Sequence, residues 1–234
     1  MFSYTKYTLW YNKNMTFNYE KLADGLVYYK NAIKNPYQII EDLEAADLKM
    51  QNNLLKDPTL EKRTALRLWH NWDHGDLHFC KQKFILRTSD LQPYDYYYKD
   101  YAKFSDPLFE ALDSTFLHYS NELYPFAGRN IKGKEDQMSI LKYEKAGYLP
   151  EHSDHGISSR TLSVVMYLND DYEGGEISFT SVGVTIKPEA GSIIFFPSNF
   201  VFSHEVSEMK NGIRYALPNW YHNMVQKVYS DGTE

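Results

Sequence analysis

Apolar residues recur at helical spacing in the first half of the chain and in short alternating runs in the second half. Asn35 and Pro36 can cap and open a helix, since proline suits the first helical position. The apolar residues that follow on one face are Ile39, Ile40 and Leu43. The sequence pattern of residues 59–72 is also typical of a helix. The pattern therefore predicts helices before about residue 135.

A second helix is predicted to begin at Asp106 and Pro107, because an apolar stripe follows at three- and four-residue steps. The stripe consists of Leu108, Leu112, Phe116, Tyr119 and Leu123. Residues 90–104 are dense in Tyr, Asp and Lys and indicate a surface loop or short edge elements. Their tyrosines are equally compatible with a lid over a substrate and with an ordinary amphipathic edge; they are Tyr94, Tyr96, Tyr97, Tyr98 and Tyr101.

From about residue 138 the pattern is typical of strands separated by turns. The predicted strands are 138–143, 161–168, 176–180, 182–186, 192–196, 203–206 and 214–221. Gly174 and Gly175 indicate a tight turn or bulge between two of them. Helices followed by an all-β half predict an α+β, mainly β fold, with a sandwich or barrel core and N-terminal helices packed on one face.

No repeat or linker divides the chain, so residues 1–234 are predicted to form a single domain. In this interpretation residues 1–135 supply helical support and substrate-side elements, and residues 136–225 form the catalytic core. Aromatic residues make up 16% of the chain, with 21 tyrosines. Tyrosine combines apolar area with a hydroxyl, which suits both lined clefts and cores.

Net charge and cysteine content limit the binding partners and the cellular compartment that the sequence predicts. The net charge of -6 and pI of about 5.8 argue against a nucleic-acid partner or a general attraction to anionic membranes. The single cysteine, Cys80, cannot form an internal disulfide and suits a reducing compartment. Neither a signal peptide nor an apolar run long enough to cross a membrane is recognisable, so a cytoplasmic location is expected.

The candidate chemistry centres on His152, Asp154 and His204. In an extended segment, residues two apart point the same way, so His152 and Asp154 can chelate one ion. His204 lies at another predicted strand and completes a set of two histidines and one carboxylate, which is typical of non-haem iron(II) sites. By itself the His-x-Asp pair is weak evidence, since such pairs occur by chance on surface loops.

Three further residues favour a co-substrate site beside the metal. Arg214 lies in a strand-like run, and its guanidinium can bind a carboxylate in bidentate fashion, as a dicarboxylate co-substrate needs. Tyr143 and Tyr167 lie in predicted strands and can offer hydroxyls to the same carboxylate. Each tyrosine is also compatible with core packing, and Arg214 with a surface salt bridge.

Other residues are weaker candidates. Trp220, His155 and Arg160 are candidate wall or substrate contacts, each with a purely structural alternative. His70, His74 and His78 are spaced four residues apart, which would place them on one helix face as a possible second metal site. Packing is the competing interpretation for these three histidines.

The chain resembles the prolyl hydroxylases, and more broadly the 2-oxoglutarate and iron(II)-dependent dioxygenase superfamily. The resemblance is carried by YEKAGYLPEHSD from Tyr143 to Asp154, by Tyr167-Leu-Asn, by Gly174-Gly-Glu, by His204-Glu-Val and by GIRYALPNW from Gly212 to Trp220. It implies a double-stranded β-helix (jelly-roll) with iron inside its open end and Arg214 as anchor for the distal carboxylate. Collagen-type and algal members typically use lysine in place of Arg214, so arginine argues against a collagen-like substrate.

The resemblance also implies the reaction and its cofactors. Fe(II), 2-oxoglutarate and O₂ would hydroxylate an unactivated C–H bond, with ascorbate as a stimulant, and a prolyl residue in a protein or peptide is the leading substrate. A free amino acid, another small molecule or a nucleobase would use the same mechanism. A non-catalytic metal-binding jelly-roll and a cupin-like metalloenzyme that does not use 2-oxoglutarate are the alternatives of another kind.

Overall fold

The computed structural model describes residues 16–57, 59, 69–74, 77–85, 98–131, 133–134, 138–155 and 159–223. The described residues of the first part form three α-helices: α1 (Pro36–Leu54), α2 (Tyr98–His118) and α3 (Pro125–Asn130). A π-helical turn, Tyr119–Leu123, continues α2. Helix α1 begins where proline at the first position predicted.

The described strands run from β1 to β13. Those before residue 138 are β1 (Asn18–Ala23), β2 (Leu26–Lys30), β3 (His70–His74), β4 (Leu77–Ile85) and β5 (Gly133–Lys134). The next four are β6 (Met138–Tyr143), β7 (Leu149–His152), β8 (Arg160–Tyr167) and β9 (Ile177–Phe179). The last four are β10 (Val184–Ile186), β11 (Ile193–Pro197), β12 (His204–Val206) and β13 (Arg214–His222).

These strands form two antiparallel sheets. The larger sheet has the order β1-β2-β11-β8-β13-β6-β4-β3, with β5 paired to β13, and the smaller has the order β10-β9-β12-β7. Alternate residues of the larger sheet face opposite layers. Ile193 and Phe195 of β11 pack with the helices, whereas Ile194 and Phe196 pack with the smaller sheet. The predicted jelly-roll core with helices on one face is confirmed.

The helix-facing core explains the apolar stripe of α2. Leu108, Leu112 and Tyr119 are buried there with Ile39 and Leu43 of α1. The predicted start of this helix is wrong, because α2 begins at Tyr98 and Pro107 lies inside it. Residues 98–104, which we expected in a loop or edge, are therefore helical. Tyr101 is buried in the core, so it is not part of a lid. Tyr94, Tyr96 and Tyr97, and the side chain of Tyr98, lie outside the described residues.

The N-terminal half also supplies strands that the sequence pattern did not predict. The β1-β2 hairpin and the β3-β4 hairpin extend the larger sheet at opposite ends. Residues 69–72, expected to be helical, belong to the β3-β4 region, while residues 60–68 lie outside the described part. Among the described residues, no helix is both long and apolar enough to cross a membrane.

Candidate metal and co-substrate site

Two neighbouring strands of the smaller sheet bring His152 and His204 together. Strands β7 and β12 are antiparallel, and His204 lies directly opposite His152 in their register. The two imidazole rings have centroids 4.4 Å apart. Asp154 follows the end of β7 by two residues, which returns its side chain to the same side.

The three side chains converge on one point. The distance from His152 Nε2 to Asp154 Oδ1 is 3.5 Å, and that from His204 Nε2 to Asp154 Oδ2 is 4.0 Å. One donor atom from each residue lies within 4.8 Å of the others. Among the described residues, no other group of three or more His, Cys, Asp or Glu side chains is so arranged.

Backbone carbonyls orient both histidines. His152 Nδ1 lies 2.9 Å from the Pro150 carbonyl oxygen, and His204 Nδ1 lies 3.1 Å from the Phe202 carbonyl oxygen. Because a carbonyl oxygen only accepts, each Nδ1 donates its proton. Nε2, the ring nitrogen nearer Asp154, carries the lone pair in the neutral ring, and in protonated His152 it donates to that carboxylate. The neutral Nε2 is the form of histidine that binds a divalent metal.

The electrostatic environment keeps the acid ionised and His204 neutral. Burial lowers the pKa of His204 to about 4. Burial alone would raise the pKa of Asp154, but the hydrogen bond from protonated His152, the positive charge that His204 carries at low pH and the hydrogen bond from Ser163 together lower it. Ser163 Oγ donates to Asp154 Oδ2 at 2.6 Å and also contacts Ser198 Oγ at 2.8 Å. Sequence reasoning missed Ser163, which faces Asp154 from β8.

Arg214, the first residue of β13, lies in the same cavity and is 1% exposed. Its guanidinium carbon is 4.8 Å from the ring centre of Tyr143 and 5.2 Å from that of Tyr167. Burial raises the pKa of both tyrosines, so each keeps its phenolic proton near neutrality. The predicted trio of Arg214, Tyr143 and Tyr167 is therefore assembled in one place.

Several polar atoms around Arg214 lack a protein partner. Arg214 Nε and Nη1 and the hydroxyl of Tyr167 are buried without a hydrogen-bond partner among the described residues. Buried polar groups are normally satisfied, so this arrangement points to a missing acceptor. A carboxylate, which accepts several hydrogen bonds and carries the complementary charge, fits it. The residues present thus suit the distal carboxylate of 2-oxoglutarate.

Tyr172 is a second residue that sequence reasoning missed. It is 3% exposed, its hydroxyl also lacks a partner among the described residues, and the positive charge of Arg214 acts on it. It precedes the Gly174-Gly175 turn, which has φ values of 75° and 67°. A Cβ on Gly175 would lie 2.9 Å from Arg214 Cδ and 2.6 Å from Met209 Sδ. Glycine is required there because Arg214 packs against its backbone.

Trp220 and Arg160 line the cavity, whereas His155 is not among its lining residues. The guanidinium carbon of Arg160 lies 3.6 Å from the ring centre of Trp220. His155 is exposed, and its Nδ1 lies 2.8 Å from the Arg160 carbonyl oxygen. The cavity has a volume of about 600 Å³, within the range typical of ligand sites.

The helical arrangement considered for His70, His74 and His78 is not found. His70 and His74 lie on strand β3 and His78 on β4, so no helix face carries them. His70 and His74, four residues apart on one strand, are about 13 Å apart, too far to share an ion. The ring of His70 stacks on Phe84 at 5.8 Å. The side chains of His74 and His78 lie outside the described residues.

Comparison with known proteins agrees with this site. A model of the 2OG-Fe(II) oxygenase superfamily matches residues 138–222. A PKHD-type hydroxylase of Prochlorococcus marinus (strain NATL1A) is 41% identical over 69 residues, which are 28% of this chain and 30% of that protein. Prolyl 3-hydroxylase 2 of Homo sapiens is 39% identical over 67 residues, which are 26% of this chain and 10% of that protein. The matches thus cover less than a third of each relative.

Solved structures share the fold over most of the chain. One of them is a prolyl hydroxylase from Trichoplax adhaerens, solved with a peptide of the hypoxia inducible factor oxygen degradation domain. It aligns with a TM-score of 0.57 and 18% sequence identity, over 86% of this chain and 84% of its own. A prolyl-4-hydroxylase of Pseudomonas putida aligns with a TM-score of 0.53 and 16% identity, over 86% of this chain and 94% of its own. Residues 138–222, which contain all three candidate ligands and Arg214, are therefore the part of the chain that is similar to the 2OG-Fe(II) oxygenase superfamily, whose cofactors are Fe(II), 2-oxoglutarate and O₂.

Proposed function

We propose that this chain is a 2-oxoglutarate- and Fe(II)-dependent hydroxylase that acts on a prolyl residue in a protein or peptide. One observation carries the proposal. A His/Asp/His ligand set and a fully buried arginine with unpartnered donors open into the same cavity. A metal-binding module without turnover would have no need of a buried, unsatisfied guanidinium, which is costly to maintain.

Each residue has a role in this proposal. His152 and His204 would bind iron through Nε2, and Asp154 would bind it through its carboxylate. Arg214 would form paired hydrogen bonds with the distal carboxylate of 2-oxoglutarate, with hydroxyl donors from Tyr143 and Tyr167. Iron with 2-oxoglutarate and O₂ supplies the oxidation: one oxygen atom enters the substrate C–H bond, and the other enters succinate as CO₂ is lost.

Part of the remaining cavity wall favours such chemistry because it is apolar. Leu149, Val165, Ile177 and Val206 line the cavity beside the ligands. A wall of this kind excludes water and strengthens the electrostatic contacts inside. The protein therefore contributes orientation and shielding, while the metal and co-substrate carry the difficult step.

The choice of a prolyl substrate is supported by the relatives, since the similar chains include prolyl hydroxylases of animals and bacteria. We also propose that residues 1–234 act as one catalytic domain, because β1 to β4 are integral to the larger sheet and Trp72, Gln82 and Phe84 line the cavity. The N-terminal half would then contribute directly to substrate binding.

The test is succinate formation. Purified protein with Fe(II), 2-oxoglutarate, ascorbate and a library of proline-containing peptides should form succinate in amounts that match a mass gain of one oxygen atom on a peptide. His204→Ala should abolish both signals, and Phe126→Ser, a change at an exposed site outside the cavity, should not. Succinate that rises only with free amino acids would reassign the substrate. Absence of succinate with all compounds would contradict the proposal.

A further inference from the structure

The cavity extends sideways from the co-substrate residues onto strand β4. Gln82 and Phe84 lie two residues apart on β4 and both line the cavity, as side chains on one face of a strand do. Gln82 pairs with Leu141 of β6, and Phe84 pairs with Ser139. Trp72 of β3 also lines the cavity. We call Trp72, Gln82, Phe84 and Ser139 the side wall.

The side wall lies apart from the strand that carries Arg214. In the larger sheet, β4 is next to β6, and β6 is next to β13. Neighbouring strands are roughly 4.8 Å apart, so β4 lies about 10 Å from β13. The cavity therefore has room beside the line from Arg214 to the metal ligands. Neither the metal nor 2-oxoglutarate, as placed above, uses the side wall.

The two polar side chains of the side wall, Gln82 and Ser139, are hydrogen-bonded to each other. Gln82 Nε2 donates to Ser139 Oγ at 3.2 Å, while Ser139 is buried and Gln82 is half-buried. This is the one hydrogen bond of the Gln82 side chain among the described residues. A carboxamide has two N–H donors and a carbonyl acceptor, so one donor and the acceptor remain for a ligand.

The side wall carries no formal charge. A carboxylate or an ammonium group bound there would lose water without gaining a counter-charge, which is unfavourable in an apolar setting. A neutral amide loses less and can both accept from and donate to the Gln82 carboxamide. The flanking rings of Trp72 and Phe84 offer flat apolar surfaces for a planar group, and His70 stacks on Phe84 to hold it in place.

The geometry points to a subsite in which Gln82 and Ser139 bind a neutral amide group of the substrate, beside the carbon that is hydroxylated. The inference rests on the proposed function and narrows it. In this inference, β4 binds the substrate group that lies next to the hydroxylated residue. A substrate with a free carboxylate at that position is disfavoured.

Binding of two matched probes tests the subsite without catalysis. N-acetyl-L-proline methylamide carries the amide, and N-acetyl-L-proline methyl ester lacks its N–H. Calorimetric titration into protein loaded with Mn(II) and 2-oxoglutarate without O₂ should give a methylamide dissociation constant about five- to tenfold lower than that of the ester, the effect of one hydrogen bond. Gln82→Leu, of similar size, should remove this preference.

Controls separate the subsite from damage elsewhere. Gln38→Leu changes an exposed glutamine on α1 and should keep the wild-type preference. The affinity of Gln82→Leu for 2-oxoglutarate should stay within about twofold of the wild type, and Ser139→Ala should reduce the preference in the same direction. Equal binding of both probes by the wild type, no binding of either, or an unchanged preference in Gln82→Leu would overturn the inference.

A parallel assay distinguishes failure of the subsite from failure of the proposed function. With Fe(II) in air, the wild type should form succinate faster with the methylamide than with free L-proline. Selective binding of the methylamide with no succinate from any prolyl compound would support the subsite and contradict the hydroxylase assignment. Faster turnover of free L-proline would support hydroxylation and overturn the subsite.

Discussion

Arg214 lies directly opposite Tyr143 in the register of β13 and β6, with its guanidinium carbon 4.8 Å from the centre of the tyrosine ring. This pairing holds a charged group at full burial between two strands of the larger sheet. The arginine cannot move toward the turn at Gly175 because its Cδ already packs against that glycine. The guanidinium is thus fixed before any co-substrate arrives, which reduces the entropic cost of binding.

Replacing Arg214 should weaken 2-oxoglutarate binding far more than it affects the metal. Loss of a buried charge partner costs on the order of 2–4 kcal/mol, so Arg214→Ala should raise the KM for 2-oxoglutarate by more than about tenfold. Mn(II) affinity should be nearly unchanged. Arg129→Ala, a change on α3 away from the cavity, is the control. A KM equal to that of the wild type would move the anchor to another residue.

Tyr172 should contribute to holding Arg214. Its buried hydroxyl forms no close hydrogen bond among the described residues, but it faces the guanidinium of Arg214, which can donate to it and whose charge acts on it. We expect Tyr172→Phe to raise the KM for 2-oxoglutarate about fivefold, the effect of one hydrogen bond, and to leave kcat at saturating 2-oxoglutarate intact. Tyr37→Phe removes an exposed hydroxyl that donates to Asp170 and should change neither constant. A fall in kcat without a change in KM would contradict a positioning role.

Metal affinity should depend on pH through one histidine rather than two. Burial acts to lower the pKa of His152, but its hydrogen bonds to Asp154 and to the Pro150 carbonyl outweigh this and raise it. Burial lowers the pKa of His204 to about 4. A proton on His152 competes with the metal, so Mn(II) affinity should fall by about tenfold per pH unit from near neutrality down to pH 5.

The slope of the logarithm of Mn(II) affinity against pH tests this prediction. His204 stays neutral over this range, so it adds no second proton until the pH approaches 4. Mn(II) binding measured by electron paramagnetic resonance at several pH values should therefore show a one-proton dependence. A two-proton slope between pH 5 and 6.5 would show that both histidines titrate together and would contradict this account.

The ion pair of Lys83 and Asp47 should stabilise the fold behind the side wall. Both side chains are buried, and the Lys83 ammonium donates to Asp47 between β4 and α1. Asp47→Ala would leave a buried ammonium unpaired and should lower the free energy of unfolding by about 3–5 kcal/mol. Glu41→Ala, at an exposed position of the same helix, should change it by less than about 0.5 kcal/mol.

The double change Asp47→Leu with Lys83→Met provides the complementary measurement. It removes both charges and keeps apolar volume, so it should recover much of the stability lost in Asp47→Ala. Urea unfolding followed by circular dichroism measures the stability of the wild type and of all three variants. If Asp47→Ala unfolds at the wild-type urea concentration, the pair contributes nothing to stability.

The strands of the second half were predictable because their side chains alternate between two buried faces. Strand β6 has the predicted bounds, and β8, β11 and β13 each differ from prediction by one residue at one or both ends. The pairing of His152 and Asp154 as metal ligands was predictable for the same reason, because an extended backbone places both side chains on one side of the strand. Arg214 was predicted as a carboxylate partner from its charge and its place in a strand, and the family resemblance specified the distal carboxylate of 2-oxoglutarate.

The first half was harder to predict because its strands lack that alternation. Strand β1 is mostly exposed and carries charged residues, and β4 contains the buried Lys83, whose partner Asp47 lies on a distant helix. Long-range pairing of this kind leaves no local signal. Helix α2 was misplaced because Pro107 is typical of a helix start, whereas here it lies inside the helix.

Contacts between strands that are distant in the sequence could not be predicted either. Ser163 reaches Asp154 only because β8 passes beside the end of β7, and Tyr172 meets Arg214 only through the Gly174-Gly175 turn. The β4 side wall depends on β4 pairing with β6. These contacts follow from sheet order, which periodicity along one strand does not encode.

Anaerobic titration of 2-oxoglutarate into the Fe(II)-loaded protein, followed by visible absorbance, reports whether His152, Asp154 and His204 hold iron(II) and whether Arg214 places 2-oxoglutarate on it. We expect a weak charge-transfer band that saturates at one 2-oxoglutarate per chain, is absent in His204→Ala, and needs a much higher 2-oxoglutarate concentration in Arg214→Ala. A wild-type protein that binds Fe(II) without developing the band, or a His204→Ala variant that retains it, would rule out this arrangement.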